Sequence, residues 1–573
     1  MRIFVGLTAV CLSLSLFTSS LHAADGPELI PSSAAAVIRL NAPDKTIESL
    51  ADFVNDIQPG FGALVQGQAG MMGVGISNPT MQGVDKSRDF WGAVFIRKDA
   101  EPAIVFIIPA TDVEEMKEAV DESLEFIAHD GYGIYTKDKI AADLMRKHLE
   151  SSRPDSIVDN ASQEMIKIVS GTDIAVVLNL VEIKSVYATE LSDGKDKFLE
   201  EVEKAQSQML EVPGVNLAWV PGLMEKLGEK LFNVVEDSQA YAVTFSVKKS
   251  GLELQEYLEF SDGSGSAKFL AKNPPESLTI LNQLPAEQLG YFAIGGDLSD
   301  LNKWGMFLLP QILDMSDEQK KKWETLAEKF EDIDFGGISA SFALGDTDSG
   351  LIRASTITKA KPTKLIREIS QIAAEVMNDL ELPGGMKQEM TIEQGVEEVD
   401  GVKIDLMTTK TVAGNAQAGG IQTQINQIMY GGDSIETRIA YLDGVNIQTV
   451  GGGKKSMKSA LAAFKSNAAG SDEVIARDTK SLGAKHNFLA IIDIPSLIVQ
   501  GLKIAASSPD LPPMPFDEDS VADLDVERSY LGFSIRTSDT GCAGKVHVPK
   551  ETIKAGLALF GFFQEIQGNR NAF

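Results

Sequence analysis

The chain has 573 residues, of which 43% are hydrophobic, so most of it can fold around apolar cores. It carries 52 lysines and arginines against 82 aspartates and glutamates, which gives a formal net charge of −30. A protein with this balance repels phosphate backbones and anionic lipid, which argues against nucleic-acid binding as its function.

The first 23 residues have the pattern of a secretory signal peptide. Arg2 supplies a positive charge, residues 3–17 are apolar, and the segment leads to a small residue, Ala23. We expect cleavage after Ala23 and export to the periplasm or the extracellular space. No later segment reaches the roughly 18 apolar residues of a membrane span, so we expect a soluble mature chain without a transmembrane segment.

Cleavage at this point would leave one cysteine, Cys542, and no intramolecular disulfide could form. Cys542 lies in a glycine-rich stretch, 540–544, which we interpret as a turn. No histidine precedes it closely, and we interpret it as an unpaired small residue in preference to a reactive thiol.

Single strands and hairpins recur along the chain. Four segments are predicted to be β-hairpins, because each has two strand-like runs that turn residues separate; they are 91–108, 241–258, 338–357 and 530–548. Apolar and polar residues alternate clearly in 241–247 and 531–535. A single apolar strand that ends in Asn or Asp precedes each hairpin; the four are 36–41, 174–179, 291–297 and 488–493. An Asn or Asp in that position can cap a following helix. The predicted repeat is therefore strand, capped helix, hairpin, helix.

The helix after the first hairpin carries the clearest sequence signal. Thr111 and Glu114 have the spacing of a capping box, and Met116, Val120 and Leu124 would share one face. We expect an amphipathic helix that Thr111 caps.

The spacing of these elements predicts two related lobes. Ile30–Pro31 and Leu284–Pro285 stand in matching places before the leading strands of the two halves. We expect an α+β fold with lobes at 24–275 and 276–573. Each lobe would hold two strand-helix-hairpin-helix units, which form a mostly antiparallel sheet with helices on one face. Residues 413–432, rich in Gly, Gln and Asn, are expected to be an inserted surface loop.

Two glycine-rich segments allow a functional or a structural interpretation. Gly451–Gly453 and Lys454 lack the spacing of a phosphate-binding loop, and we favour a structural turn. Residues 60–83, rich in Gly and Met, could form a flexible apolar lip for a ligand or a membrane. We favour closely packed short helices there, with Leu64 and Val74 buried.

The densest carboxylate cluster is the one candidate for a metal site. Its possible calcium ligands are Asp517, Asp519, Asp523 and Asp525. An EF-hand is excluded, because the sixth and twelfth positions counted from Asp517 are Ala522 and Arg528. A solvated acidic loop is the preferred interpretation.

No pattern in the sequence indicates catalysis. The histidines that would remain after cleavage show no zinc-ligand spacing; they are His129, His148, His486 and His547. Neither a nucleophile elbow nor a cofactor fingerprint occurs. We therefore assign no catalytic residue and no cofactor.

The layout of most of the mature chain resembles an uncharacterised family of exported bacterial proteins from planctomycete-type genomes. The resemblance rests on Ile30–Pro31, Asn41, the 91–108 hairpin and Thr111–Asp112. It implies export and a repeated architecture. It implies no catalytic residue.

These observations favour a non-catalytic binding or scaffolding protein of the cell envelope, with an envelope protein or polymer as its partner. One alternative is a secreted hydrolase that uses carboxylates in a cleft between the lobes. Another is a calcium-dependent adhesion module.

Overall fold

The computed structural model describes residues 26–151, 155–208, 220–296, 305–306, 315–346, 350–378, 381–382, 386–412, 416–507, 516 and 518–570. The predicted signal peptide lies outside this part of the chain. The fold is mixed α+β, as predicted, and every strand pairing among the described residues is antiparallel. None of the described helices is both long and apolar enough to cross a lipid bilayer.

The strands, in chain order, are β1 Ala36–Leu40, β2 Phe90–Phe95, β3 Ala103–Pro109, β4 Glu125–His129, β5 Tyr132–Thr136, β6 Ile174–Asn179, β7 Ser238–Lys248, β8 Gly251–Phe260, β9 Gly290–Ile294, β10 Asp334–Leu344, β11 Ile352–Lys361, β12 Glu381–Leu382, β13 Met386–Val399, β14 Val402–Val412, β15 Ile435–Leu442, β16 Val445–Val450, β17 Phe488–Ile492, β18 Leu531–Thr537 and β19 Gly541–Pro549.

The α-helices are α1 Pro43–Ile57, α2 Gly62–Ala69, α3 Met72–Gly75, α4 Val113–Ala119, α5 Lys139–Leu149, α6 Gln163–Ser170, α7 Leu180–Val186, α8 Ala188–Gln208, α9 Val220–Asp237, α10 Gly265–Lys272, α11 Asp317–Glu331, α12 Thr363–Asn378, α13 Ala416–Tyr430, α14 Gly453–Ser466, α15 Glu473–Thr479, α16 Ile494–Ser507, α17 Glu518–Ala522 and α18 Lys550–Arg570. Short 3-10 helices lie at Pro27–Leu29, Ile157–Asn160, Thr279–Gln283, Ala469–Ser471 and Lys480–Leu482.

The chain divides into two units. The first unit runs to Lys197 and adds Phe232–Ala271 and Ser538–Lys550. Its strands follow the order β4-β5-β3-β2-β1-β6-β7-β8-β19.

The second unit takes Phe198–Leu231, Lys272–Thr537 and the chain from Glu551 onward. Its strands follow the order β12-β13-β14-β15-β16-β11-β10-β9-β17-β18.

The predicted leading strands form as β1, β6, β9 and β17. Three of the predicted hairpins form from the paired strands β2/β3, β7/β8 and β10/β11. Strands also form at both arms of the fourth predicted hairpin, as β18 and β19. The leading strands were predictable from their short apolar runs, and the hairpins from strand-like runs on both sides of turn residues.

Two of the predicted caps at the ends of leading strands form, and one does not. Asn179 accepts a hydrogen bond from the Glu182 amide at 3.2 Å, and Asp493 accepts one from the Ser496 amide at 3.0 Å. Asn41 instead accepts from the Arg39 guanidinium at 3.3 Å, and α1 begins at Pro43 without a side-chain cap. Asp297 lies outside the described residues.

The helix after the first hairpin is capped by a different residue from the one predicted. Asp112 is extended at φ −143° and its carboxylate accepts from the amides of Glu114 and Glu115. The prediction of Thr111 as the cap was wrong by one position, because the helix starts at Val113. It ends at Ala119, and Leu124 precedes an unpredicted hairpin, β4/β5.

The segment predicted as an inserted surface loop is a helix over most of its length. Residues 413–415 lie outside the described residues, and Ala416–Tyr430 form α13. Gln and Ala favour helix, which the composition argument overlooked. Asn426 on this helix is buried and donates to the Asp433 carbonyl at 3.2 Å.

The sheet of the first unit is packed on both faces, not on one. Ile107 and Ile134 point into a core that includes Met145 of α5. The adjacent residues Ile108 and Tyr135 point the opposite way, into a core that includes Met116 of α4. Successive strand side chains alternate between faces, so both faces of this sheet hold apolar layers.

Candidate ligand-binding cavity

A cavity of about 510 Å³ lies within the first unit. It is lined chiefly by apolar side chains, among them Val37, Trp91, Val158, Met165, Ile166 and Val177. Its volume is within the range of small-molecule pockets, which are mostly apolar with a few polar groups.

One wall of the cavity is the sheet. Val37 of β1 lies directly opposite Val177 of β6, and Arg39 lies directly opposite Trp91 of β2. Period-two alternation places these side chains on one face.

The other wall is the segment that holds the 3-10 helix Ile157–Asn160 and α6. The Ile157 amide donates to the Ile30 carbonyl at 2.9 Å, which ties this segment to the start of the unit. Ser162 caps α6 by accepting from the Met165 amide at 3.1 Å, and its hydroxyl donates to Glu259 at 2.9 Å. The cap thus fixes the helix that carries Met165 and Ile166 over the sheet.

Arg39 is the only cationic side chain that lines the cavity among the described residues, and protein acceptors contact each of its three nitrogens. Nε donates to Asp89 at 2.8 Å, and Nη2 contacts the same carboxylate at 2.8 Å. Nη1 donates to the carbonyls of Val169 at 2.7 Å and Thr172 at 2.9 Å. Nη2 also donates to the Asn41 side chain at 3.3 Å, so each of the three guanidinium nitrogens has a protein acceptor. The guanidinium carbon lies 5.8 Å from the Trp91 ring centre.

Asn179, which also lines the cavity, is likewise hydrogen-bonded to protein groups. Its amide nitrogen donates to the carbonyls of Ser32 at 2.8 Å and Ala34 at 3.2 Å, while its oxygen caps α7. Arg39 and Asn179 therefore direct their hydrogen bonds to protein groups that form the walls.

Five other polar residues line the cavity. Ser32 donates to Asp155 at 2.8 Å, and Ser170 donates to the Lys167 carbonyl at 3.3 Å. The other three polar side chains are those of Ser33, Glu182 and Gln239. Within the described part of the chain, no hydrogen bond to another residue occupies them. Glu182 is also the only carboxylate among the described lining residues. A bound molecule could therefore meet one carboxylate, one hydroxyl and one amide in mainly apolar surroundings.

The described carboxyls with raised pKa values lie outside this lining. Burial raises the pKa of Asp173 to about 7, although its carboxylate accepts a hydrogen bond from the Val247 amide at 2.7 Å. Burial also raises the pKa of Glu259 in the first unit and of Asp493 in the second. The cavity thus lacks the pair of acids that carboxylate-based hydrolysis needs.

The structure describes three of the four predicted calcium ligands. Asp517 lies outside the described residues, and Asp519, Asp523 and Asp525 are exposed. Glu518–Ala522 form the short helix α17, which turns successive side chains away from one another. No group of three or more His, Cys, Asp or Glu residues in the described ranges could hold a metal ion.

Cys542 lies in a strand and not in a turn. It is part of β19 and stands opposite Leu258 of β8. Burial raises the pKa of its thiol, which lowers the thiolate fraction at neutral pH.

The two glycine-rich segments have separate outcomes. Gly451–Gly453 have φ values of 73°, 65° and 59°, and a Cβ on Gly451 would collide with the Ile352 carbonyl, so the segment is a tight turn into α14.

The short helices predicted within 60–83 form as α2 and α3. The prediction that Leu64 and Val74 are buried was wrong, because they are 61% and 64% exposed.

The sequence analysis missed the cavity. Arg39 was a usable signal, because a charged residue stands alone inside an apolar strand. Comparison of the chain with protein-family models, with curated proteins and with solved structures gives no match.

Proposed function

We propose that this chain is an exported, non-catalytic binding protein whose first unit takes up an apolar small molecule. The observation that carries the proposal is the 510 Å³ cavity, whose walls are fixed by Arg39 and Asn179 and lined by apolar side chains. Export rests on the predicted signal peptide. A scaffolding role toward an envelope protein or polymer is the broader alternative from the sequence.

We also propose that the two units descend from one module by tandem duplication, as the sequence spacing suggests. The order β4-β5-β3-β2-β1-β6-β7 in the first unit has the same pattern as β15-β16-β11-β10-β9-β17-β18 in the second. In both, each leading strand lies beside the other leading strand and beside the first arm of the hairpin that follows it.

Matching backbone hydrogen bonds support the duplication. The Asn179 amide donates to the Ala35 carbonyl at 2.8 Å, and the Asp493 amide donates to the Leu289 carbonyl at 2.7 Å. Asn179 and Asp493 each follow the second leading strand of their unit, and each caps the next helix.

A second pair of bonds extends the match to the other end of the same strands. The Asp173 amide donates to the Phe245 carbonyl at 3.1 Å, and the Asn487 amide donates to the Ile535 carbonyl at 2.9 Å. The side chains of Asp173 and Asn487 also accept from the amides of Val247 and Thr537, respectively.

This correspondence places two tyrosines where the cavity has small residues. In the register of the paired strands, Val37 corresponds to Tyr291 and Ala240 corresponds to Tyr530. Val37 and Ala240 line the cavity, whereas Tyr291 and Tyr530 are buried with ring centres 5.8 Å apart. Their hydroxyls donate to the carbonyls of Pro285 at 2.8 Å and Gln288 at 2.6 Å.

The module can therefore be packed without a cavity at these positions. Protein interiors are normally close-packed, and empty volume destabilises a fold. Small residues at Val37 and Ala240 give the first unit a space that the second unit fills with its own side chains. This difference supports a ligand as the occupant.

The test is the binding of N-phenyl-1-naphthylamine, an uncharged aromatic probe that fluoresces in apolar sites, to the mature chain. We expect saturable one-to-one binding. The variant V37Y/A240Y, which copies the packing of the second unit, should lose at least about tenfold in affinity. The control variant A100Y/A128Y adds two tyrosines at exposed positions of the same unit and should bind as the parent does.

Unchanged binding by folded V37Y/A240Y would refute this site. If V37Y/A240Y does not fold, the single change Ala161→Phe in the opposite wall tests the same point.

A further inference from the structure

We infer that the ligand of this cavity is an uncharged, mainly apolar molecule that carries a hydrogen-bond donor, such as a hydroxyl group, and that the site rejects anions. The inference rests on the proposed binding function. It adds the chemical class of the ligand.

The cavity contains an arginine, which would ordinarily suggest recognition of a carboxylate or phosphate. In this cavity the arginine is already paired with protein groups. The acceptors of the Arg39 donors are Asp89, two backbone carbonyls and the Asn41 side chain. Its side chain is 6% exposed, and Asp89 already balances its charge. An anion could bind Arg39 only by breaking these bonds.

The side-chain amide of Asn179 cannot donate to an anion while its present hydrogen bonds remain. Both N–H groups of Asn179 donate to the carbonyls of Ser32 and Ala34. At the N-terminus of α7, the Glu182 amide donates to the Asn179 side chain and is not available to an anion.

Among the remaining described polar lining residues, Glu182 is the one that carries a charge. Glu182 lines the cavity, and no hydrogen bond or ion pair to its carboxylate occurs among the described residues. A negative ligand placed in apolar surroundings beside this carboxylate would lose its hydration and meet a like charge. A ligand hydroxyl or N–H could donate to Glu182, and Ser33 or Gln239 could pair with its remaining polar atoms.

The experiment compares two probes that share one aromatic skeleton. N-phenyl-1-naphthylamine is uncharged, and 8-anilino-1-naphthalenesulfonate is the same molecule with one sulfonate. Each is titrated into the parent chain and into V37Y/A240Y, and only the signal that V37Y/A240Y loses is assigned to the cavity. This subtraction removes binding at exposed apolar residues such as Leu64.

We expect the uncharged probe to bind the cavity at least about tenfold more tightly than the sulfonate. Glu182→Gln keeps the size of the side chain and removes its charge. It should strengthen sulfonate binding and so reduce the ratio between the cavity affinities of the two probes. The control Glu164→Gln, on α6 but outside the cavity lining, should leave the ratio unchanged.

The outcomes separate the two proposals. Equal cavity affinities for the two probes, or sulfonate binding that weakens steeply with added salt, would overturn the inference about charge and leave the binding function standing. Failure of both probes to give a cavity signal would overturn the binding function itself.

Discussion

The Arg39 guanidinium donates to the Asp89 carboxylate at 2.8 Å beneath the cavity, and the Arg39 side chain is almost fully buried. Asp89 also accepts from the Ala42 amide at 3.1 Å, where the chain turns into α1. One carboxylate thus neutralises a buried charge and fixes the start of a helix.

Asp89→Ala should lower the free energy of unfolding by about 3 kcal/mol, because it leaves a buried guanidinium without its counter-charge. Urea unfolding followed by circular dichroism measures the change. Glu190→Ala is the matched control, since it breaks the exposed Lys98–Glu190 ion pair and should change stability little. Equal effects of the two substitutions would contradict the role given to Asp89.

Asp173 should make stability fall as the pH rises through the acid range. Its folded-state pKa of about 7 exceeds the value of about 3.9 for an unfolded aspartate, so the protonated carboxyl stabilises the fold fully below about pH 4. That contribution is lost as the pH rises to about 7, and its full size is on the order of 4 kcal/mol. The charged groups that act on Asp173 are Lys248, Arg39 and Glu253.

The measurement is urea unfolding of the parent and of Asp173→Asn between pH 4 and pH 8. Asparagine does not titrate, so the stability of the variant should fall less over this range. Parallel curves for the two proteins would show that Asp173 does not titrate in this window.

Removing the tyrosines of the second unit should create a second site. Tyr291→Val introduces the residue that stands at the corresponding cavity position, and it should cost about 3 kcal/mol through lost burial and an unfilled space. In Tyr291→Val combined with Tyr530→Ala, the number of bound N-phenyl-1-naphthylamine molecules should rise from one to two. A stoichiometry that stays at one in the folded double variant would count against the correspondence of the two units.

Cys542 should react slowly in the folded protein. Burial raises the pKa of its thiol, and the reactive thiolate is correspondingly scarce. Ellman's reagent should modify the native chain much more slowly than the same chain in urea. Equally fast reaction in both conditions would contradict the burial of this side chain.

The sequence predicted the parts of the fold that local patterns determine. Strands β1, β6, β9 and β17 have short apolar runs, and the hairpin arms at 241–247 and 531–535 alternate clearly. Three further hairpins were missed although each has an Asp-Gly turn, at Asp130–Gly131, Asp400–Gly401 and Asp443–Gly444. Asp-Gly between extended segments is a strong hairpin signal, because both residues tolerate positive φ.

The cavity could not be predicted from local patterns, because it depends on side-chain volume at positions far apart in sequence. Val37 and Ala240 are ordinary strand residues when each is considered alone. The proposed duplication offers a signal, since alignment through Ile30–Pro31 and Leu284–Pro285 pairs Val37 with Tyr291. Two small residues opposite two tyrosines would then have indicated an unfilled space.

The most direct test of the binding proposal is a crystal structure of the mature chain with one equivalent of N-phenyl-1-naphthylamine. Our account predicts the probe between Val37, Trp91 and Met165, with its N–H directed to Glu182 or Gln239. A probe bound elsewhere while this cavity stays empty would contradict the account.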